Sequence, residues 1–318
     1  MSCRQIPAVV VMWLWLSVAA QATEFDQPFA QDFSTASVPP CGESVALFSD
    51  FCGDADRDTV VELFGGLDGS KQTQDFGVNA NFGGRVSVNV GTPLGDSGFG
   101  LQLGTSWNSS DNAVQVFERV GGPTTRQQMF STVGLFRRTE NWTAALAYDF
   151  LYQDSYDEFS LSQWRGSFGV PVTSADEVGV WLAIGGKADR GTFAATPVRL
   201  SPISQGSLYW RHIWQSGVRT TFWGGMSEGH GEVNLALGDL PPVNERIIFG
   251  ADLHVPLNDR MALYGEANFL TPADTGTVDA YLGLVIYLDP IARHRDRKTF
   301  APVLPVSNST RFAVDLSR

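Results

Sequence analysis

Between residues 78 and 90 the chain changes character at every step. Val78, Ala80, Phe82, Gly84, Val86, Val88 and Val90 share one parity, and Asn79, Asn81, Gly83, Arg85, Ser87 and Asn89 the other. A period of two is the strand period, so the segment predicts an extended ribbon with one oily and one wet face. The pattern recurs: Phe99, Leu101, Leu103 and Trp107 lie opposite Gly100, Gln102, Gly104 and Ser106, and Trp142, Leu146, Tyr148 and Phe150 opposite Thr143, Ala145, Ala147 and Asp149. Ile247, Phe249, Leu253 and Val255 oppose Arg246, Gly250, Asp252 and His254. Past residue 22 no apolar run approaches the roughly 18 residues that a spanning helix requires; the longest candidate, Tyr281 to Leu288, stops at Asp289. A chain built this way enters a bilayer only as a closed barrel, because open strands would leave backbone groups unpaired in hydrocarbon.

Twelve strands are predicted, at 59–68, 77–91, 97–108, 128–138, 141–152, 159–171, 177–188, 204–215, 217–226, 243–255, 260–270 and 276–288. Every second connection is tight, as at Pro93-Leu94-Gly95-Asp96, Thr139-Glu140 and Ser216-Gly217, while the stretches 109–127, 189–203 and 227–242 are long. Short turns on one rim, long loops on the other and an even strand count are the layout of membrane barrels. Pro93, Pro171 and Pro256 recur about every 80 residues beside tight turns, where a residue without an N–H does no harm to a ladder. Composition agrees with strands: 33 glycines, 12% aromatic and 18% charged residues. The formal charge of −12 leaves no basic footprint for nucleic acid.

The stretch 59–288 resembles a bacterial outer-membrane β-barrel of an uncharacterised family. Its final strand, Tyr281-Leu282-Gly283-Leu284-Val285-Ile286-Tyr287-Leu288, is similar to the terminal signal by which such barrels are recognised for insertion. The resemblance implies an antiparallel transmembrane barrel in the outer membrane, surrounded by its lipid, without a cofactor, acting as a channel for small solutes or ions or as a structural surface protein. Two other readings stay open. In an exported soluble all-β binding module the oily faces would meet inside; in a barrel-borne lipid hydrolase a Ser/His pair would sit at a strand rim.

The flanks read as separate pieces. Residues 1–22 carry Arg4, an apolar run and Ala20-Gln21-Ala22, the pattern of a secretory signal. Export would leave Cys41 and Cys52 as an even pair in an oxidising compartment, which predicts a disulfide between them. The arm 23–58 is acidic and the tail 289–318 basic, its stretch 291–318 holding Arg293, Arg295, Arg297, Lys298, Arg311 and Arg318 against Asp296 and Asp315. The plain expectation for both is a solvated segment. The functional one is a tail that touches an anionic cell-wall polymer and an arm that binds a cation. Asp54, Asp56 and Asp58 alternate as in calcium loops, but Thr59 stands where the loop needs Gly and no Glu closes it.

Chemistry-bearing motifs are sparse. His212, His230, His254 and His294 show no metal spacing, and no Gly-x-Ser-x-Gly elbow accompanies Ser207, Ser216 or Ser227. What remains is the wet face. Arg85, Asp149, Arg165, Lys187, Arg219, Arg246, Asp252, Glu266 and Asp279 are predicted to line the lumen, where opposed charges either pair and plug a narrow pore or form a constriction. Trp107, Trp142, Tyr152, Trp214, Trp223 and Tyr287 are candidates for the interfacial girdles.

Overall fold

A computed structural model of the chain describes residues 59–76, 79–112, 122–232, 240–243, 245–271 and 277–317. The signal segment, the acidic arm, and Cys41 and Cys52 lie outside the described residues. The described chain forms β1 (Val60–Lys71), β2 (Asn81–Pro93), β3 (Gly100–Asn112), β4 (Thr125–Arg138), β5 (Thr143–Asp154), β6 (Glu158–Pro171) and β7 (Asp176–Gly185). It continues as β8 (Asp189–Phe193), β9 (Thr196–Pro202), β10 (Gln205–Ile213), β11 (Arg219–Ser227), β12 (His230–Glu232) and β13 (Leu240–Val243). The last strands are β14 (Arg246–Pro256), β15 (Met261–Thr271), β16 (Val278–Tyr287) and β17 (Val314–Ser317).

Twelve of these close a barrel in the order β1-β16-β15-β14-β11-β10-β7-β6-β5-β4-β3-β2, every pair antiparallel. The seam pairs the first strand with the last, from Glu62 opposite Tyr287 to Lys71 opposite Val278, so neither edge is left open. The twelve strands fall where the alternation predicts them to within a few residues at their ends. Pro93, Pro171 and Pro256 end β2, β6 and β14 on one rim. That rim carries the short turns 94–99, 139–142, 172–175, 214–218 and 257–260. Two need a left-handed residue, which Gly95 (φ 58°) and Gly217 (φ 81°) supply without steric cost.

Polarity is inverted relative to a soluble protein. Phe82, Leu146, Leu208 and Ile247 face outward, Leu208 at 70% exposure, whereas Asp149 is 0% exposed. A soluble sandwich with its oily faces inside is thereby ruled out. The long-loop rim differs from expectation in two respects. Its β5–β6 connection is only residues 155–157, and the stretches read as plain loops hold paired strands, β8–β9 at 189–202 and β12–β13 beyond 230.

The main departure is the tail. For the tail 289–318 the expectation is a solvated extension; its described residues, 289–317, turn back from the end of β16 at the short-turn rim and run up the inside of the barrel. Ala301, Leu304, Val306, Ser307, Asn308, Ser309, Thr310, Phe312 and Val314 are buried there. The segment leaves the lumen at the long-loop rim as β17, which pairs with β9 from Val314 opposite Pro202 to Ser317 opposite Arg199. Its sequence explains the extended path. Pro302 and Pro305 lack an N–H and hold φ near −65°, so the segment cannot join the barrel ladder and turns its carbonyls to wall side chains. Twelve uncharged residues, 299–310, carry it through.

Candidate functional site

The lumen is built from the inward parity of the strands, and its two halves differ. The wall from β2 to β6 presents amides and hydroxyls among a few buried charges, and the amides and hydroxyls grip the main chain of the tail. Asn89 Nδ2 and Gln102 Nε2 donate to the Leu304 carbonyl at 3.1 and 2.6 Å. The Ser307 N–H donates to Thr132 Oγ1 at 2.9 Å, and Gln163 Nε2 donates to the Arg311 carbonyl at 2.9 Å. From the segment after β1, Gln72 Nε2 donates to the Ser309 carbonyl at 2.9 Å and the Thr73 hydroxyl donates to the Val314 carbonyl. Two glycines let the tail approach closely: a Cβ at Gly91 would collide with the Phe300 carbonyl, and one at Gly104 with Val306. Buried backbone groups need partners, and here the wall supplies what a sheet otherwise would.

Ion pairs fix the tail at its short-turn end and at Arg311. Arg295 donates to Glu62 through Nε at 2.6 Å and Nη2 at 3.2 Å. Arg219 Nη1 lies 2.9 and 3.0 Å from the two Asp296 oxygens. Glu266 receives Arg311 Nε and the Thr310 hydroxyl, each at 2.5 Å, and the Tyr281 hydroxyl at 3.1 Å. Apolar clusters stopper both mouths. At the short-turn end Ile291, Ala292 and Ala301 pack on Val60, Phe64, Val285 and Tyr287. At the long-loop end Phe312, Val314 and Leu316 pack with Phe76, Phe130, Leu151, Phe159, Phe193 and Leu200.

Of the nine residues predicted to line the lumen, eight are buried on its inner wall. Asp149 and Arg165 form a two-point pair at 2.8 and 3.0 Å, to which Thr132 (2.8 Å) and Gln163 (3.0 Å) add hydrogen bonds. Arg165 Nη2 then donates to the Pro305 carbonyl at 2.9 Å. Asp252 lies 4.0 Å from Arg311, and Asp279 accepts from Gln72 at 3.1 Å. Arg246 is buried near the long-loop rim and Arg85 lies deep in the wall. Lys187 is the exception: β7 ends at Gly185, and Lys187 is exposed in the following loop, 3.9 Å from Asp189. Among the girdle candidates Trp223 and Tyr287 are buried on the inner wall, because their parity matches Arg219 and Val285 rather than the oily face. His212 Nδ1 bonds Asp176 at 2.8 Å and His254 Nε2 the Tyr287 hydroxyl at 2.9 Å, and among the described residues neither reaches a serine.

The half of the wall from β7 through β1 is aromatic and cationic. Phe64, Trp181, Tyr209, Trp223, Tyr264, Tyr281 and Tyr287 stand there with Arg211 and Arg219, and together with Arg85 of β2 and Arg295 and Arg311 of the tail they surround a cavity of about 100 Å³. Arg211 also borders a vestibule of about 500 Å³ at the short-turn rim. Sequence reasoning missed the tail as part of the site, although its uncharged run and its opposite sign to the barrel were visible.

In architecture the chain is similar to the COG4313 outer membrane channel from Pseudomonas putida F1, with a TM-score of 0.51 and 9% identity over 74% of this chain and 99% of that one. It is also similar to the translocator domain of the autotransporter NalP from Neisseria meningitidis, with a TM-score of 0.46 and 11% identity over 76% and 92% of the two chains. At 9% identity the likeness to the channel gives the fold alone, a closed antiparallel barrel of the outer-membrane kind. Among curated proteins none matches the sequence. A family model described as a family of unknown function (DUF6666) matches residues 60–314, from the first residue of β1 to the first of β17, with the lumenal tail inside the matched span.

Proposed function

The chain belongs to the DUF6666 family, and we propose that it is a channel-type barrel of the bacterial outer membrane held shut by its own C-terminal segment. The observation that carries this is the burial of residues 301–314 along the lumen, hydrogen-bonded to the wall at successive levels. In barrels of this layout the short turns face the periplasm, so the tail would enter from that side and present β17 outside. The cavity of about 100 Å³ beside it is too small for solute flow, which supports reading this as the closed state. Opening would require the pairs Arg295–Glu62 and Arg311–Glu266 to part. The apolar stoppers at both mouths favour a second reading, a permanently closed surface barrel. Of the tail cations, Arg297 is exposed at the short-turn rim, and Arg293 is half-exposed there in an ion pair with the exposed Asp259 at 3.2 Å, which supports a contact at this rim with an anionic cell-wall polymer.

Planar-bilayer recording tests the plug. The full chain is expected to be silent at low voltage, while the full-length Arg295→Glu/Arg311→Glu variant, which places like charges against Glu62 and Glu266, is expected to show steady conductance steps. A wild-type barrel that conducts as the variant does, or a variant as silent as the wild type, would contradict the proposal. Voltage-driven openings of the wild type distinguish a gated channel from the permanently closed barrel.

A further inference from the structure

Asp252 of β14 and Glu266 of β15 are direct partners in the antiparallel register, so two carboxylates stand side by side on the inner wall. Like charges directly opposite destabilise a strand pair, and with side chains 7% and 0% exposed these two have little water to screen them. One group of the tail answers both. The Arg311 guanidinium places Nε 2.5 Å from Glu266 and Nη2 4.0 Å from Asp252. The same guanidinium stands over two indole rings, its carbon 4.4 Å from the centroid of Trp223 and 5.2 Å from that of Trp181. Two anions and two aromatic faces around one planar cation form a receptor, and the wall holds its parts in place by bonds of its own. Trp223 Nε1 donates to Asn268 Oδ1 at 3.0 Å, and its ring lies where a Cβ at Gly250 would collide with it. The hydroxyls of Tyr281 and Tyr264 donate to Glu266 Oε2 at 3.1 and 3.3 Å. None of these bonds involves the tail.

Arg311 thus marks, with its own side chain, the chemistry that this wall selects. Two different nitrogens of one fork meet two acids, which a compact ammonium cannot imitate, and the flat faces of the indoles favour a planar ion. The cavity of about 100 Å³ borders Arg311, Asp252 and both tryptophans, and gives the side chain room to withdraw. We propose that this part of the wall is a binding site for a small guanidinium-bearing solute, which competes with Arg311 and on binding frees the tail there. The proposal rests on the reading of the tail as a releasable plug. Binding is read by fluorescence and closure by current, so a titration that fails leaves the plug standing, and a barrel that conducts leaves the receptor standing.

The full-length Arg311→Ala variant empties the receptor and leaves its walls in place, with Trp181 and Trp223 as reporters. In detergent, at fixed pH and ionic strength, it is titrated with methylguanidinium chloride. Methylammonium chloride serves as a point charge and N-methylurea as a neutral molecule of the same shape. A saturable change in tryptophan emission with methylguanidinium is expected, with methylammonium at least tenfold weaker and no saturable response to methylurea. Adding Glu266→Gln should weaken methylguanidinium binding at least tenfold. A second measurement needs no variant. In the wild type methylguanidinium, but not methylurea, should raise the hydrogen exchange of residues 306–313 and leave that of the barrel strands unchanged. The proposal is overturned by no saturable response in an Arg311→Ala barrel of unchanged gel mobility, by equal binding of methylammonium or methylurea, or by indifference to Glu266→Gln. Wild-type exchange at 306–313 that ignores the solute also overturns it.

Discussion

Asp296 lies in the rim turn 295–297, outside the spanning strands, and its two oxygens face Arg219 Nη1. Burial alone would raise its pKa, but the guanidiniums of Arg219, Arg211, Arg295 and Arg138 outweigh that and hold the carboxyl far below its ordinary 3.8. A depressed folded pKa means that the ionised form holds the tail. Its contribution is therefore complete above the unfolded value and is lost as pH falls below it. Hydrogen exchange of residues 291–300, corrected for intrinsic rates, is expected to be flat from pH 8 to 5 and to rise below about pH 4. In Asp296→Asn it should be high throughout. A rise already between pH 8 and 5 would show that another group holds the turn. The individual charges on the wet face were legible one by one, but not their partners, because Arg165 meets Asp149 only through the β5–β6 register.

At the scale of elements, the long-loop mouth behaves as a small soluble core laid over a membrane barrel. Phe312, Val314 and Leu316 of the tail alternate inward against Phe76, Phe193, Val198 and Leu200. Truncating a fully buried phenylalanine costs about 3–5 kcal/mol. Phe312→Ala is accordingly expected to lower the exchange protection of β9 amides by about two orders of magnitude or more, up to the limit of their own stability. The barrel strands beneath should keep their protection and the unboiled gel mobility. Unchanged β9 protection would mean that β17 and its core do not hold the hairpin. From sequence, β8 and β9 read as one loop. They pair over only five positions, and the strand that completes their sheet comes from more than a hundred residues downstream.

At the scale of the whole molecule, the barrel was legible because its cause is local: alternation, strand length and turn spacing repeat along the chain and need no knowledge of what meets what. The lumen content was not, since a segment that runs through a barrel has no period of its own and matches the wall through side chains from β2, β3, β4 and β6. Lys187 was misplaced for a related reason, as alternation carried the seventh strand past Gly185, where the ladder to β6 stops. The central claim, that residues 301–314 fill the lumen, is tested most directly by a cross-link between tail and wall. The Ser307 N–H donates to Thr132 Oγ1 at 2.9 Å. In the full chain with Cys3, Cys41 and Cys52 replaced by Ser, Thr132→Cys/Ser307→Cys is expected to oxidise to a disulfide, recovered as one linked peptide by mass spectrometry, in a barrel of unchanged gel mobility. Two freely alkylated thiols and no linked peptide in that folded barrel would contradict the account.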